Sequence, residues 1–171
     1  KLVCLIRVVV PPRLDYNFVL YYLMVKRDVY TPGHHPAAVK QHAKITAEDC
    51  AQFVRPMISP QSEILDVGCG PGSITIGLAR WAANGSVTGI DVGEEVLQTA
   101  QQAVDEAGIS NISLEQASVY ELPYADSSFD LTYAHQVLQH LADPVLAIQE
   151  MARVTRPCGH VAVRAADYYT M

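Results

Sequence analysis

The chain has 171 residues, half of them apolar, with 18 acidic against 12 basic side chains and a formal charge of −6, which suits one globular domain with a core of its own. Only 18% of residues are charged and no block of like charge occurs, which excludes a disordered charged tail as the main feature. Residues 1 to 30 hold five bases and two acids, leaving seven bases against sixteen acids beyond them, so phosphate-dominated binding is disfavoured and no nucleic-acid partner is expected.

At the N-terminus, Leu2 to Val10 is rich in β-branched residues and reads as a strand with no obvious partner. Together with Phe18 to Val25 it is broken by Arg7, Pro11, Pro12, Arg13 and Asp15, so no run of about 18 apolar residues is available to span a bilayer. It is equally poor as a signal peptide. Residues 1–35 are taken as an irregular N-terminal segment and 36–171 as the domain proper. Pro36 to Met57 has helical character in two pieces, with Thr46 and Asp49 placed as a capping box in which aspartate replaces glutamate.

From residue 60 onward short apolar runs alternate with longer helical patterns, the signature of βα units and a parallel sheet. Glu63 to Val67 is the first strand of this series and ends in Gly68-Cys69-Gly70-Pro71-Gly72. Ser73 to Ala83 is a helix that Asn84-Gly85 stops, and Ser86 to Asp91 is the second strand. Glu94 to Ala107 is an amphipathic helix with acids in its first turn and Gly108 as its C-terminal cap. Asn111 to Gln116 and Phe129 to Ala134 are the third and fourth strands. Asp143 caps a helix that has Pro144 in its first turn and runs to about Val154, after which Pro157-Cys158-Gly159 turns the chain into a fifth strand, His160 to Arg164.

The cysteines at 4, 50, 69 and 158 form no C-x-x-C pair, so free thiols in a reducing compartment are expected, cytoplasmic with the mitochondrion as the alternative, and no metal site.

The chemistry concentrates at the first strand, glycine loop and helix. Glycines at 68, 70 and 72 let the backbone turn sharply and let a ligand approach it, beside the unpaired amides of a helix N-terminus. Nineteen residues after Gly72, at the end of the next strand, Asp91 stands where a carboxylate can accept both hydroxyls of a ribose. An adenosine-containing cofactor is implied. The spacing G-x-G-x-G departs from the dinucleotide fingerprint, and no lysine occurs after Lys44 to serve a β- or γ-phosphate, so a cofactor without phosphates fits better.

Ile64-Leu65-Asp66-Val67-Gly68-Cys69-Gly70-Pro71-Gly72 resembles motif I of the class I S-adenosylmethionine-dependent methyltransferases. Val87-Thr88-Gly89-Ile90-Asp91, Leu122-Pro123-Tyr124, Ser128-Phe129-Asp130 and Glu150-Met151-Ala152-Arg153-Val154 with Pro157 and Gly159 are similar to later segments of the family, in order. The likeness is greatest to the branch of ubiquinone and menaquinone biosynthesis methyltransferases, and Tyr30-Thr31-Pro32-Gly33-His34-His35 resembles the N-terminal segment of its fungal members.

The resemblance implies a Rossmann-like α/β fold with a parallel sheet in the order 3-2-1-4-5, counted from Glu63, flanked by helices. The family's terminal hairpin of strands six and seven is missing after Arg164, which leaves an open edge on strand five. Leu2 to Val10 is expected either to pair with that edge or to mediate self-association there. The resemblance also implies that Asp66 and the loop Gly68-Cys69-Gly70 hold the methionine end of S-adenosylmethionine, that Asp91 takes the ribose with Val92 flanking the adenine, and that Gly72, Ser118 and Val119 belong to the same cofactor site, with Ser118 facing the adenine amino group. Ser118 stands where an acid is common. His135, just after strand four, would line the pocket near the methyl donor, and Tyr30, His34 and His135 are the candidate catalytic groups. The implied activity is methyl transfer to carbon or oxygen of a small-molecule acceptor. The competing readings are a non-catalytic methyltransferase-like subunit and a nicotinamide-dependent oxidoreductase.

Overall fold

A computed structural model describes residues 7–9, 28 and 42–165. The elements in chain order are β1 (Arg7–Val9), α1 (Ala47–Cys50), a 3-10 helix (Gln52–Met57), β2 (Glu63–Val67), α2 (Ser73–Trp81), β3 (Ser86–Asp91), α3 (Glu94–Ala107), β4 (Ile112–Gln116), β5 (Phe129–His135), a 3-10 turn (Leu138–His140), α4 (Pro144–Val154) and β6 (Thr155–Arg164). The strands make one sheet in the order β1-β6-β5-β2-β3-β4, and every pair is parallel. The five strands from β4 to β6 reproduce the expected order 3-2-1-4-5.

A parallel sheet is covered on both faces, so its central strands are largely apolar and alternate between two cores. In β2, Ile64 points into one cluster with Leu78, Val87, Leu131 and Tyr133. Its neighbour Leu65 points into the other with Val67, Ile90, Met151 and Val161. Local chemistry sets the helices. Thr46 caps α1 in a capping box, its hydroxyl accepting from the Asp49 amide at 3.3 Å and its amide donating to the Asp49 carboxylate at 3.1 Å. Gly108 ends α3 in the left-handed conformation at φ +65°. The Asp143 carboxylate caps α4 by accepting from the Leu146 amide at 2.9 Å, with Pro144 in the first turn. Glu150 and Arg153 on α4 staple the loop after β4: Glu150 accepts from the Leu122 amide at 3.0 Å, and Arg153 donates to the carbonyls of Leu122 at 2.9 Å and Tyr124 at 2.8 Å.

Several expectations are corrected. The edge beside β6 is not open, because Arg7–Val9 runs along it with Arg7 opposite His160 and Val9 opposite Ala162. Of the stretch Leu2 to Val10 expected to pair with that edge or to mediate self-association, the described residues Arg7–Val9 pair with it. Helix α2 stops at Trp81, since Ala82 leaves helical geometry at φ −99° and ψ 52°. Thr155 and His160 belong to one strand rather than being separated by a turn: the register slips between Phe129 opposite Thr155 and Leu131 opposite His160, so the intervening residues bulge without leaving the sheet. Within the bulge Cys158 takes φ +70°, where glycine would sit without strain. Cys50 and Cys69 are free thiols, but Cys158 is disulfide-bonded, so free thiols throughout are not what the structure has. Cys158 is exposed within the bulge. Among the described residues no helix is long and apolar enough to cross a membrane.

Candidate active site

In this sheet β2 has β3 on one side and β5 on the other, so the chain reverses its direction of winding at β2. Ligands in open α/β sheets bind in the crevice at such a point, beyond the carboxyl ends of the strands. A cavity of about 450 Å³ lies there, bordered by the segments that leave the carboxyl ends of β2, β3, β4 and β5.

The glycine loop forms its floor. Gly68, Gly70 and Gly72 all take positive φ, between +53° and +79°, and each glycine has a different reason. A Cβ on Gly68 would lie 2.4 Å from Cγ2 of Val137, so Gly68 lets the loop after β5 close in. A Cβ on Gly72 would come within 3.1 Å of the Ala100 Cβ, so Gly72 lets α2 pack on α3. A Cβ on Gly70 would meet nothing within 4 Å among the described residues, and Gly70 borders the cavity. The loop is tied to β3 by the Cys69 amide, which donates to the Ile90 carbonyl at 2.9 Å.

Asp91 completes this floor. Its carboxylate accepts from the Gly70 amide at 3.1 Å and the Gly93 amide at 3.0 Å, so the acid at the strand tip also clamps the glycine loop. A carboxylate has about four acceptor positions, and this one clamps the loop from a place on the cavity wall. Asp66, at the end of β2, is buried and accepts from the Thr75 hydroxyl at 2.7 Å. Burial pushes its carboxyl up to about 7, the Asp91 charge adds to the rise, and the Thr75 hydrogen bond opposes it. Burial likewise raises the Cys69 thiol, which stays protonated and unreactive.

Opposite the floor, β5 ends in His135, one residue later than the expected strand end, and the ring borders the cavity. Burial lowers its pKa to about 4, with Arg164 and His42 lowering it further, so the imidazole is neutral at physiological pH. Ser118 borders the cavity after β4, its hydroxyl accepting from the Tyr120 amide at 3.3 Å.

Of the expected site residues, Asp66, Gly68, Cys69, Gly70, Asp91, Val92, Ser118, Val119 and His135 line this one cavity. Gly72 does not, because its role is spent on the packing of α2 against α3. Tyr30 and His34 lie outside the described residues. Sequence reasoning missed Asp28, His42, Tyr120, Gln136 and His140, which also line it. The short turn after β5 brings His140 to the crevice. Asp28 accepts from the Tyr120 hydroxyl at 2.7 Å and the Ala142 amide at 2.6 Å, contacts across more than ninety residues that no local pattern announces. Ser73 at the start of α2 donates to the Ile45 carbonyl at 2.7 Å and so holds the segment carrying His42 against the glycine loop.

A parallel sheet with a glycine loop at its winding reversal and an acid at the tip of the adjoining strand defines a nucleoside-cofactor domain. Residues 58–170 match the family described as Methyltransferase domain, and the chain belongs to that family. It is 38% identical over 144 residues to an uncharacterized methyltransferase of Schizosaccharomyces pombe, covering 81% of this chain and 52% of that protein. It is 42% identical over 101 residues to the ubiquinone/menaquinone biosynthesis C-methyltransferase UbiE of Bdellovibrio bacteriovorus, covering 59% of this chain and 43% of that one. Among solved structures, a SAM-dependent methyltransferase from Aquifex aeolicus superposes with a TM-score of 0.67 at 23% identity, over 75% of this chain and 71% of that one. The chain spans about half the length of the curated relatives it matches. Membership makes S-adenosylmethionine the implied cofactor, and the site fits it: the open space at Gly70, the Asp91 carboxylate beside it and a lining that includes three aspartates suit a cationic nucleoside.

Proposed function

We propose that this chain binds S-adenosylmethionine in the crevice and passes its methyl group to carbon or oxygen of a small-molecule acceptor. The observation that carries the reading is Asp91, which holds the glycine loop through the Gly70 amide and borders the cavity at the tip of β3. On this reading Asp91 takes the ribose hydroxyls, Asp66, Gly68, Cys69 and Gly70 hold the methionine end, and Val92, Ser118 and Val119 border the adenine. Bound cofactor supplies an electrophilic methyl on a sulfonium whose leaving group needs no proton. The protein's part is then alignment and exclusion of water. The stapled loop after β4 and the segment from His42 to Ile45 wall the cavity for that purpose. Residues 36–171 are taken as the catalytic domain, and the family match covers 58–170 of it. Self-association, if the sheet mediates it, runs through the outer edge of β1, and sedimentation of the chain with and without residues 1–12 tests that. Titration with S-adenosylhomocysteine and, separately, NADH tests the function: binding of the first and not the second is expected, and the reverse overturns it.

A further inference from the structure

The loop after β4 and the segment after β5 meet at one side chain. The Tyr120 hydroxyl, on the loop, accepts from the Asp143 amide, on the segment, at 3.1 Å. It also donates to the Asp28 carboxylate at 2.7 Å, and the same Asp28 oxygen accepts from the Ala142 amide at 2.6 Å. One carboxylate oxygen therefore joins three stretches of chain, lying 92 residues from Tyr120 and 114 from Ala142. Bonds to an ionised acceptor at these lengths belong to the stronger class.

This junction stands on the crevice. Asp28 and Tyr120 border the cavity, as do Ser118 and Val119 just before Tyr120 and His140 and Leu141 just before Ala142. Each wall is fixed beyond the junction as well. The Tyr120 amide donates to the Ser118 hydroxyl at 3.3 Å, and the Asp143 carboxylate caps α4 by accepting from the Leu146 amide at 2.9 Å. Parting the walls must then break the junction or drag a fixed element with it. Burial and the bond to Asp28 both hold the Tyr120 phenol above its ordinary pKa, so it remains a donor at physiological pH.

We propose that Asp28 is a positioning residue for the cofactor: through Tyr120 and the Ala142 amide it holds the two walls of the crevice at a fixed separation and so slows cofactor release. This rests on the methyltransferase reading above. Asp28 lies outside the stretch 58–170 that the family match covers, and its role comes from the geometry of this chain alone. Contacts that complete a site around its ligand act on the rate of leaving more than on the rate of encounter.

Surface plasmon resonance with S-adenosylhomocysteine on the full chain tests it. Asp28→Ala should raise the dissociation rate about five- to tenfold while changing the association rate less than about twofold. Asp28→Asn keeps a side-chain oxygen that can accept both bonds and should recover most of that loss. Because Asp28 acts through Tyr120, combining Asp28→Ala with Tyr120→Phe should cost less than the product of the two single effects. An unchanged dissociation rate in Asp28→Ala, an Asp28→Asn variant as fast as Asp28→Ala, or fully multiplicative effects overturns the proposal. Hydrogen exchange at the Ala142 and Asp143 amides reads the junction without ligand and should rise about fivefold in Asp28→Ala; unchanged exchange overturns the junction itself. A wild-type chain that fails to bind S-adenosylhomocysteine yet shows this Asp28-dependent exchange overturns the cofactor reading and leaves the junction standing.

Discussion

Asp91→Ala separates two roles that the geometry gives to one carboxylate. The variant removes the bonds from the Gly70 amide at 3.1 Å and the Gly93 amide at 3.0 Å. Hydrogen bonds to a charged group contribute about 1.5 to 3 kcal/mol when buried. These are partly exposed, and water replaces the lost acceptor, so a combined loss of about 1 to 2 kcal/mol of folding stability is expected. For a domain of this size that lowers Tm by roughly 3 to 6 °C. Two ribose hydroxyls would also lose a charged acceptor, at about 2 to 3 kcal/mol together, which weakens S-adenosylhomocysteine roughly 30- to 150-fold. Calorimetric unfolding reads the first effect and isothermal titration the second. A lower Tm with unchanged affinity would reduce Asp91 to a clamp for the loop and refute its assignment to the ribose. No change in either would refute the geometry of the crevice floor.

Asp66 has a folded pKa of about 7 against 3.8 for an ordinary aspartate, so the native state holds the proton more tightly than the unfolded chain does. Its contribution to stability is complete below about pH 4 and is lost as pH rises from there to about 7, worth on the order of a few kcal/mol. Urea unfolding of the ligand-free protein should therefore show Asp66→Asn gaining on the wild type between pH 5 and pH 8, and parallel pH profiles would count against a buried, ionising Asp66. The glycines should part company: Gly70→Val puts a side chain into open cavity space and should abolish S-adenosylhomocysteine binding in a folded protein, whereas Gly72→Ala, at φ +79° and 3.1 Å from Ala100, should cost about 1 to 2 kcal/mol of stability first. Normal cofactor binding by Gly70→Val would make its loop a mere turn. Deleting residues 1–12 uncovers the edge of β6, and hydrogen exchange at 160–162 should rise; unchanged protection would mean that the pairing of Arg7 with His160 contributes nothing in solution.

The strands from Glu63 onward, apart from the start of β6 at Thr155, the caps at Thr46, Gly108 and Asp143, the glycine loop and the position of Asp91 are all legible in the amino-acid order alone. Each of these is a local signal: a period of apolar residues, a side chain within three positions of the amide it caps, or a backbone angle that glycine takes freely. What the glycines do one by one was not legible, since Gly68, Gly70 and Gly72 look alike in sequence. Only the approach of Val137, of empty space and of Ala100 tells them apart. The same holds for Asp28 with Tyr120, for His42 and His140 on the cavity wall, and for the strand at Arg7–Val9 that lies beside residues more than 150 positions away. Local preference acts over a few residues, whereas these contacts exist because closing long loops is repaid by burial and by satisfied backbone groups in the assembled sheet. That repayment belongs to the whole fold, and no window of the sequence contains it.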